Sequence, residues 1–124
     1  MFDDTEIFMV HYMKLGEKPF IAVRSGNKKI EMRLYDEKRR KLSVNDTVVF
    51  TSVENGGQIT AEIKALHVFD SFMQMYGAFS AIDLGYSECD AKNASYTDMY
   101  EYYSVEDERK YGVVGIEISL KKDL

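Results

Sequence analysis

The order of apolar and polar positions along the 124 residues divides the chain into strand-like and helix-like stretches. The first, IFMVHYMKL at 7–15, is apolar on both parities and reads as a strand enclosed on two sides. KPFIAVRSG follows. Pro19 is placed as a first helical residue and Gly26 as a stop, which predicts a short helix burying Phe20 and Val23. KKIEMRLY then alternates. Ile30, Met32 and Leu34 share an apolar, inward face, and Lys29, Glu31, Arg33 and Tyr35 share the other, facing solvent or a cleft. With that parity, Met32→Asp is expected to unfold the domain and Glu31→Gln to leave it intact.

The turn SVND leads into TVVFTSV, and ENGG marks a hairpin through Asn55-Gly56. On the return, QITAEIKALHVF keeps Ile59, Ala61, Ile63 and Ala65 on one face. After Ala65 the parity slips to Leu66 and Val68, the pattern of a β-bulge. From Ser71 the period becomes helical, with Phe72, Met75 and Tyr76 in one stripe, and GYSECDAKNA follows as a polar loop. Ser95 with Asp98, and Ser104 with Asp107, have capping-box spacing and predict two short helices around YEYYS. The closing VVGIEISL turns Val114, Ile116, Ile118 and Leu120 inwards. Five strands, an early helix and a helical excursion before the last strand predict an α+β fold: one domain spanning 1–124, a small mixed β-barrel with short peripheral helices.

Composition narrows the classes. Apolar content of 45% and charged content of 30% with a single proline fit one globular domain. No apolar run approaches the roughly 18 residues of a membrane helix, so no membrane association is expected. The start MFDDTEIF lacks the basic opening of a signal peptide. Cys89 is the sole cysteine. It has no internal disulfide partner, which places the expected home in a reducing cytoplasm.

Charge is unevenly distributed. Lys14 to Lys41 holds ten of the sixteen Lys and Arg against four acids, about +6, while the rest carries six bases and 17 acids. Such asymmetry in a chain of net charge −5 points to an anion-binding face. Lys28, Arg33 and the run Lys38-Arg39-Arg40-Lys41 are the candidate phosphate contacts. Glu31 could accept hydrogen bonds from a base's exocyclic amine or hold Lys28 and Arg33 in place. Against this stands the bland alternative of an internal Glu31–Arg33 ion pair beside a solvated basic turn. Among Tyr96, Tyr100, Tyr102 and Tyr103, packing at a barrel end outweighs a stacking platform, with Tyr102 retained as a candidate base contact. His11, His67 and Cys89 do not form a metal-ligand spacing, and no Ser-His-Asp, Cys-His or phosphate-cradling glycine motif is present, so neither metal nor cofactor is expected.

GNKKIEMR resembles the G-x-K-x-x-E-x-R signature of the ASCH domain, a barrel of the PUA-like superfamily of RNA-associated folds. Gly26, Lys28, Glu31 and Arg33 occupy its four defining positions. RLYDEKRRKLSVNDTVVF and YGVVGIEI are similar to this family as well, so the resemblance spans roughly residues 9 to 120. One departure is Asn45, where many relatives have glycine; asparagine tolerates a left-handed turn. The resemblance implies a PUA-like pseudobarrel and a binding cleft between the barrel and the helical excursion, for RNA or a nucleotide. It also implies an alternative. Some small ASCH proteins are amidohydrolases acting on N4-acetylcytidine and related amides, through a lysine, a threonine three residues on and a distant glutamate; others are ribonucleases. This chain keeps Lys28 but has Glu31 in the threonine's place, so an enzymatic reading would rest on Lys28 and Glu31 alone. A third reading is a protein-interaction domain.

Overall fold

The computed structural model describes residues 7–121. Five strands form one mixed sheet in the order β1-β3-β4-β5-β2. They are β1 (Val10–Leu15), β2 (Ile30–Leu34), β3 (Thr47–Ser52), β4 (Gln58–Phe69) and β5 (Val113–Leu120). The pairing of β1 with β3 is parallel and the other three pairings are antiparallel. The sheet curls into a half-barrel whose two edge strands, β1 and β2, are joined in sequence by helix α1 (Glu17–Arg24).

The first core lies inside the curl, where Met13, Val48, Phe50, Ile63 and Ile116 meet Phe20 and Val23 of α1. Helix α1 starts two residues before Pro19, so the proline sits in a first turn whose N–H groups need no intrahelical partner. Gly26, at φ +85°, ends it. The expectation of a doubly enclosed first strand is corrected. Only Met13 and Leu15 of β1 are buried, whereas Val10 and Tyr12 are exposed on the outer face and residues 7–9 precede the strand.

The second core lies on the opposite face, between the sheet and the helical excursion. Ile30, Met32 and Leu34 of β2 are buried there with Phe72, Met75 and Leu84. The apolar face of β2 is therefore inward, but towards the excursion and not the barrel interior. Glu31 and Arg33 pair in register with Ile116 and Val114, residues of the first core, and so share the concave face. The bulge in β4 falls at Lys64, between the pairs Ile63–Ile118 and Ala65–Glu117. Ala65 is thereby moved to the outer face, one position earlier than the sequence pattern suggests, and Leu66 packs on the first core, while Val68 remains exposed.

The excursion contains α2 (Phe72–Ala78), α3 (Glu88–Ala91), a 3-10 turn over Tyr96–Glu101 and α4 (Val105–Tyr111). The polar stretch expected to be loop thus includes the single turn α3. Ser71, Ser87 and Ser104 each cap a helix start by accepting a backbone N–H, and Ser95 with Asp98 forms the anticipated capping box. Buried Glu108 ties these pieces together. One carboxylate oxygen accepts from Phe72 N at 2.7 Å and the other from the Tyr100 hydroxyl at 2.8 Å. Burial and the adjacent Glu108 carboxylate push the Tyr100 phenol up to about 12.

At the far end of the sheet, Asn45 adopts φ +78°, the left-handed turn its side chain tolerates. Next to it, buried Asp46 accepts from Met9 N, Ser43 N and His11 Nε2 at 3.0, 3.0 and 2.7 Å. Burial alone would raise its carboxyl, but these hydrogen bonds hold it below the ordinary aspartate range. Among the described residues, no helix is long and apolar enough to cross a membrane.

Candidate functional site

The two edge strands leave a seam in the curled sheet, and the signature segment lies along it. Lys28 occupies the turn after α1, anchored through its backbone N–H to Ala22 O at 3.0 Å. Glu31 and Arg33 follow two residues apart on β2, which aims both side chains at the concave face. The Arg33 guanidinium donates to Lys14 O at 3.0 Å, tying β2 to β1 across the seam.

Glu31 is only 3% exposed and has both oxygens engaged. Lys28 Nζ lies 3.0 Å from Oε1, and Arg33 Nε donates to Oε2 at 2.6 Å. Burial works to raise the Glu31 carboxyl; the Lys28 and Arg33 charges outweigh it and hold the group below its usual range. Arg33 is also desolvated, and its pairing with Glu31 still leaves it raised. The site therefore has a buried anion holding two cations, with a net charge of one positive unit. The expectation that Glu31→Gln is harmless is revised, because neutralising position 31 strands those cations.

A cleft of about 360 Å3 opens over this group. Its floor and one side come from Lys14 of β1, Lys18 of α1, Lys28 of the turn that follows, and Glu31 and Arg33 of β2. The excursion supplies the other side: Tyr76, Tyr86, Asp98, Glu101, Tyr102 and Tyr103. There the hydroxyls form a directed chain. Tyr86 donates to Asp98 Oδ2 at 2.7 Å, so the 2.7 Å contact between Tyr76 and Tyr86 must use the Tyr76 proton. Burial, reinforced by the neighbouring phenol and carboxylate, raises the Tyr86 phenol well above its ordinary value. One side of the cleft thus offers N–H donors and the other chiefly oxygen acceptors.

Lys28, Glu31 and Arg33 come together at the cleft floor, and Tyr102, 71% exposed, stands at its rim. Tyr96, Tyr100 and Tyr103 pack against the second core, with Tyr103 stacked on Phe72 at 5.8 Å. Gly26 shapes the turn before Lys28 and does not line the cleft. Nor do Lys38, Arg39 and Arg40. Arg39 pairs with Asp36 at 3.3 Å, Arg40 lies over the Tyr35 ring at 4.3 Å and donates to Tyr111 O, and Lys38 is exposed. Sequence reasoning missed Tyr76, Tyr86 and the cleft-lining role of Asp98. The capping-box spacing identified Asp98 as a helix start, but nothing local reveals that 22 residues of chain fold Tyr76 and Asp98 onto one wall.

A loop glycine also touches the site. Gly85, at φ +109°, passes so close to Lys28 that a Cβ there would lie 2.8 Å from Lys28 Cδ.

Comparison with known proteins agrees with the fold. A family model described as ASCH domain matches residues 13–122. The crystal structure of the hypothetical protein PH0355 is similar over 91% of this chain and 100% of its own, with 33% identity and a TM-score of 0.76. The solution NMR structure of PF0455 from Pyrococcus furiosus is similar over 93% of this chain and 100% of its own, with 32% identity and a TM-score of 0.69. ASCH from Zymomonas mobilis, at 15% identity over 89% of this chain and 66% of its own, shares the fold with a TM-score of 0.58. No curated protein matches the chain.

Proposed function

The chain belongs to the ASCH domain family, in general nucleic-acid-binding or RNA-related, and we propose that it is an RNA- or nucleotide-binding module that seats one nucleotide unit in the seam cleft. The observation that carries this reading is the Lys28–Glu31–Arg33 group. Two cations are fixed by a shared buried carboxylate, so they are pre-positioned for an anion without the entropy loss of immobilising free surface side chains. Lys28 and Arg33 take a phosphate or carbonyl oxygen, and Lys14 and Lys18 add charge at the rim. Asp98 and Glu101, opposite, suit the N–H groups of a base edge, and Tyr102 provides a ring for stacking. The cleft volume is near the lower end of the roughly 300–1,000 Å3 typical of small-molecule sites, which fits one nucleotide and not a run of stacked bases.

The experiment is a titration of the protein with a mixed-sequence RNA hexamer and with the four nucleoside monophosphates at low ionic strength. Saturable binding that weakens in Lys28→Ala is expected. An absence of binding to all five ligands would sink the reading.

A second reading, hydrolysis of an N-acylated nucleoside or of RNA, is favoured by the convergence of Lys28 and Glu31 at 3.0 Å in a concave site. Lys28 would stabilise a developing oxyanion and Glu31 would activate water. The depressed basicity of Glu31 weighs against it, because a carboxylate held ionised by two cations is a poor proton acceptor near neutral pH. The missing hydroxyl at position 31 weighs the same way. Little or no turnover of N4-acetylcytidine is expected, and robust turnover abolished by Lys28→Ala would promote this reading.

A further inference from the structure

Resting on the nucleotide reading, we propose that Gly85 is a positioning residue for Lys28: the absence of a side chain at 85 sets where the lysine's ammonium stands in the cleft. Lys28 is 9% exposed, and its ammonium has Glu31 Oε1 as its partner at 3.0 Å. An ammonium carries three donors, so the ones not given to Glu31 are available to a ligand, and the path of the four-carbon stem decides where they point. That path runs directly under Gly85. A Cβ at 85 would lie 2.8, 3.2 and 3.4 Å from Lys28 Cδ, Cγ and Cε, all at or inside the limit of tolerated contact.

Neither backbone can readily retreat. The loop carrying Gly85 is tied to the start of β2 by Asp83 O, which accepts from both Lys29 N and Ile30 N at 2.9 Å. Gly85 N itself donates to Ile82 O at 2.9 Å, and Tyr86 N to Ala81 O at 3.0 Å. With the lysine's own N–H held by Ala22, the stem is what must move. Its displacement draws Nζ away from Glu31 and out of line with the cleft. The left-handed φ of +109° adds a second requirement for glycine, one concerned with the backbone alone.

Gly112 separates the two requirements. It also has a positive φ, +73°, and a Cβ there would lie 3.0 Å from Phe69 O, but it does not line the cleft. Gly112→Ala therefore reports backbone strain without touching Lys28.

The test is a double-mutant cycle read by Kd for the RNA hexamer and by Tm. Gly85→Ala is expected to weaken binding roughly tenfold or more, the scale of one charge-assisted hydrogen bond. In a Lys28→Ala background the same change should shift Kd by no more than about twofold, because the group it acts through is gone. Gly112→Ala should lower Tm and leave Kd within about twofold of wild type. Wild-type affinity in Gly85→Ala, or an equal further loss in the Lys28→Ala background, would overturn the proposal. If Gly85→Ala does not fold, the double variant decides: recovery of folding when the stem is removed supports the steric path, and continued unfolding assigns the glycine to the backbone requirement alone and overturns the proposal. Failure of wild-type protein to bind the hexamer counts against the nucleotide reading alone. The Tm cycle then still reads whether Gly85 and Lys28 are coupled, and additive Tm losses would refute the positional claim.

Discussion

Two groups of cations stand a few residues apart in the sequence and meet different fates. Lys28, buried, and Arg33, half-buried, lie at the floor of a cleft, each on one oxygen of Glu31. Lys38 leads into a short 3-10 turn, Arg39–Lys41, after β2, where the pairing of Arg39 with Asp36 and the stacking of Arg40 on Tyr35 are local. The second group has the denser charge. The first has the fixed geometry, because strand alternation and burial leave its side chains few alternatives. Charge density in a sequence therefore identifies attraction at a distance, while a shared buried counter-ion identifies cations already held in place for a ligand.

Removing the shared carboxylate is the largest perturbation of this contrast. Glu31→Ala leaves buried Lys28 and half-buried Arg33 without their common partner and is expected to cost about 3–5 kcal/mol, read by chemical or thermal denaturation. A loss below about 1 kcal/mol would mean that water reaches Lys28 and Arg33 freely and that the distinction between the groups is false. Lys28→Ala should preserve the fold better, since it removes one cation and leaves Glu31 with Arg33. It should weaken the RNA hexamer by roughly tenfold or more.

Acid titration sharpens the same contrast. The Glu31 carboxyl is held below the 4.5 of an ordinary glutamate, so the unfolded chain takes up that proton more readily than the folded one. Its stabilisation is complete above that ordinary value and is lost as pH falls through the lower value of the fold. Asp46, lowered from 3.8, adds the same dependence at the far end of the sheet. Tm measured from pH 6 to pH 3 should fall, with a shallower slope in Glu31→Gln and, independently, in Asp46→Asn. Unchanged slopes in both variants would remove these two carboxylates as the cause.

Smaller effects belong to the basic turn. Replacing Lys38, Arg39 and Arg40 by Ala should weaken all RNA sequences alike by a few-fold. It should also flatten a salt dependence expected to have a slope of about −2 to −3 for three or four phosphate contacts at roughly 0.7 each. A loss larger than that of Lys28→Ala would move the principal contact from the cleft to the turn. Last comes Asp36→Ala, which breaks a partly exposed pair and should cost no more than about 1 kcal/mol.

Much of this architecture is legible along the chain because it rests on local periodicity. The alternation of 29–35, the Asn55-Gly56 hairpin, the serine caps and the parity slip in β4 each express a steric or hydrogen-bonding rule acting within a few residues. The same locality explains the misses. Apolar residues on both parities of 7–15 resemble an enclosed strand, but β1 lies at the sheet edge and exposes Val10 and Tyr12. Alternation establishes that Ile30, Met32 and Leu34 share a buried face; it does not distinguish the barrel interior from the layer under the excursion.

For the candidate site, the sequence by itself determined the Lys28, Glu31 and Arg33 spacing, the glycine stop before it and the imbalance of charge around it. Tertiary structure decided the rest. It placed β2 at an edge, so that Glu31 faces a seam and is sealed between two cations, and it brought Tyr76, Tyr86 and Asp98 opposite. It also laid Gly85 on the stem of Lys28, 57 residues away along the chain. The physical reason is that periodicity fixes which side of its own element a residue takes, whereas the partner it meets there depends on long-range packing, which leaves no repeat in the sequence.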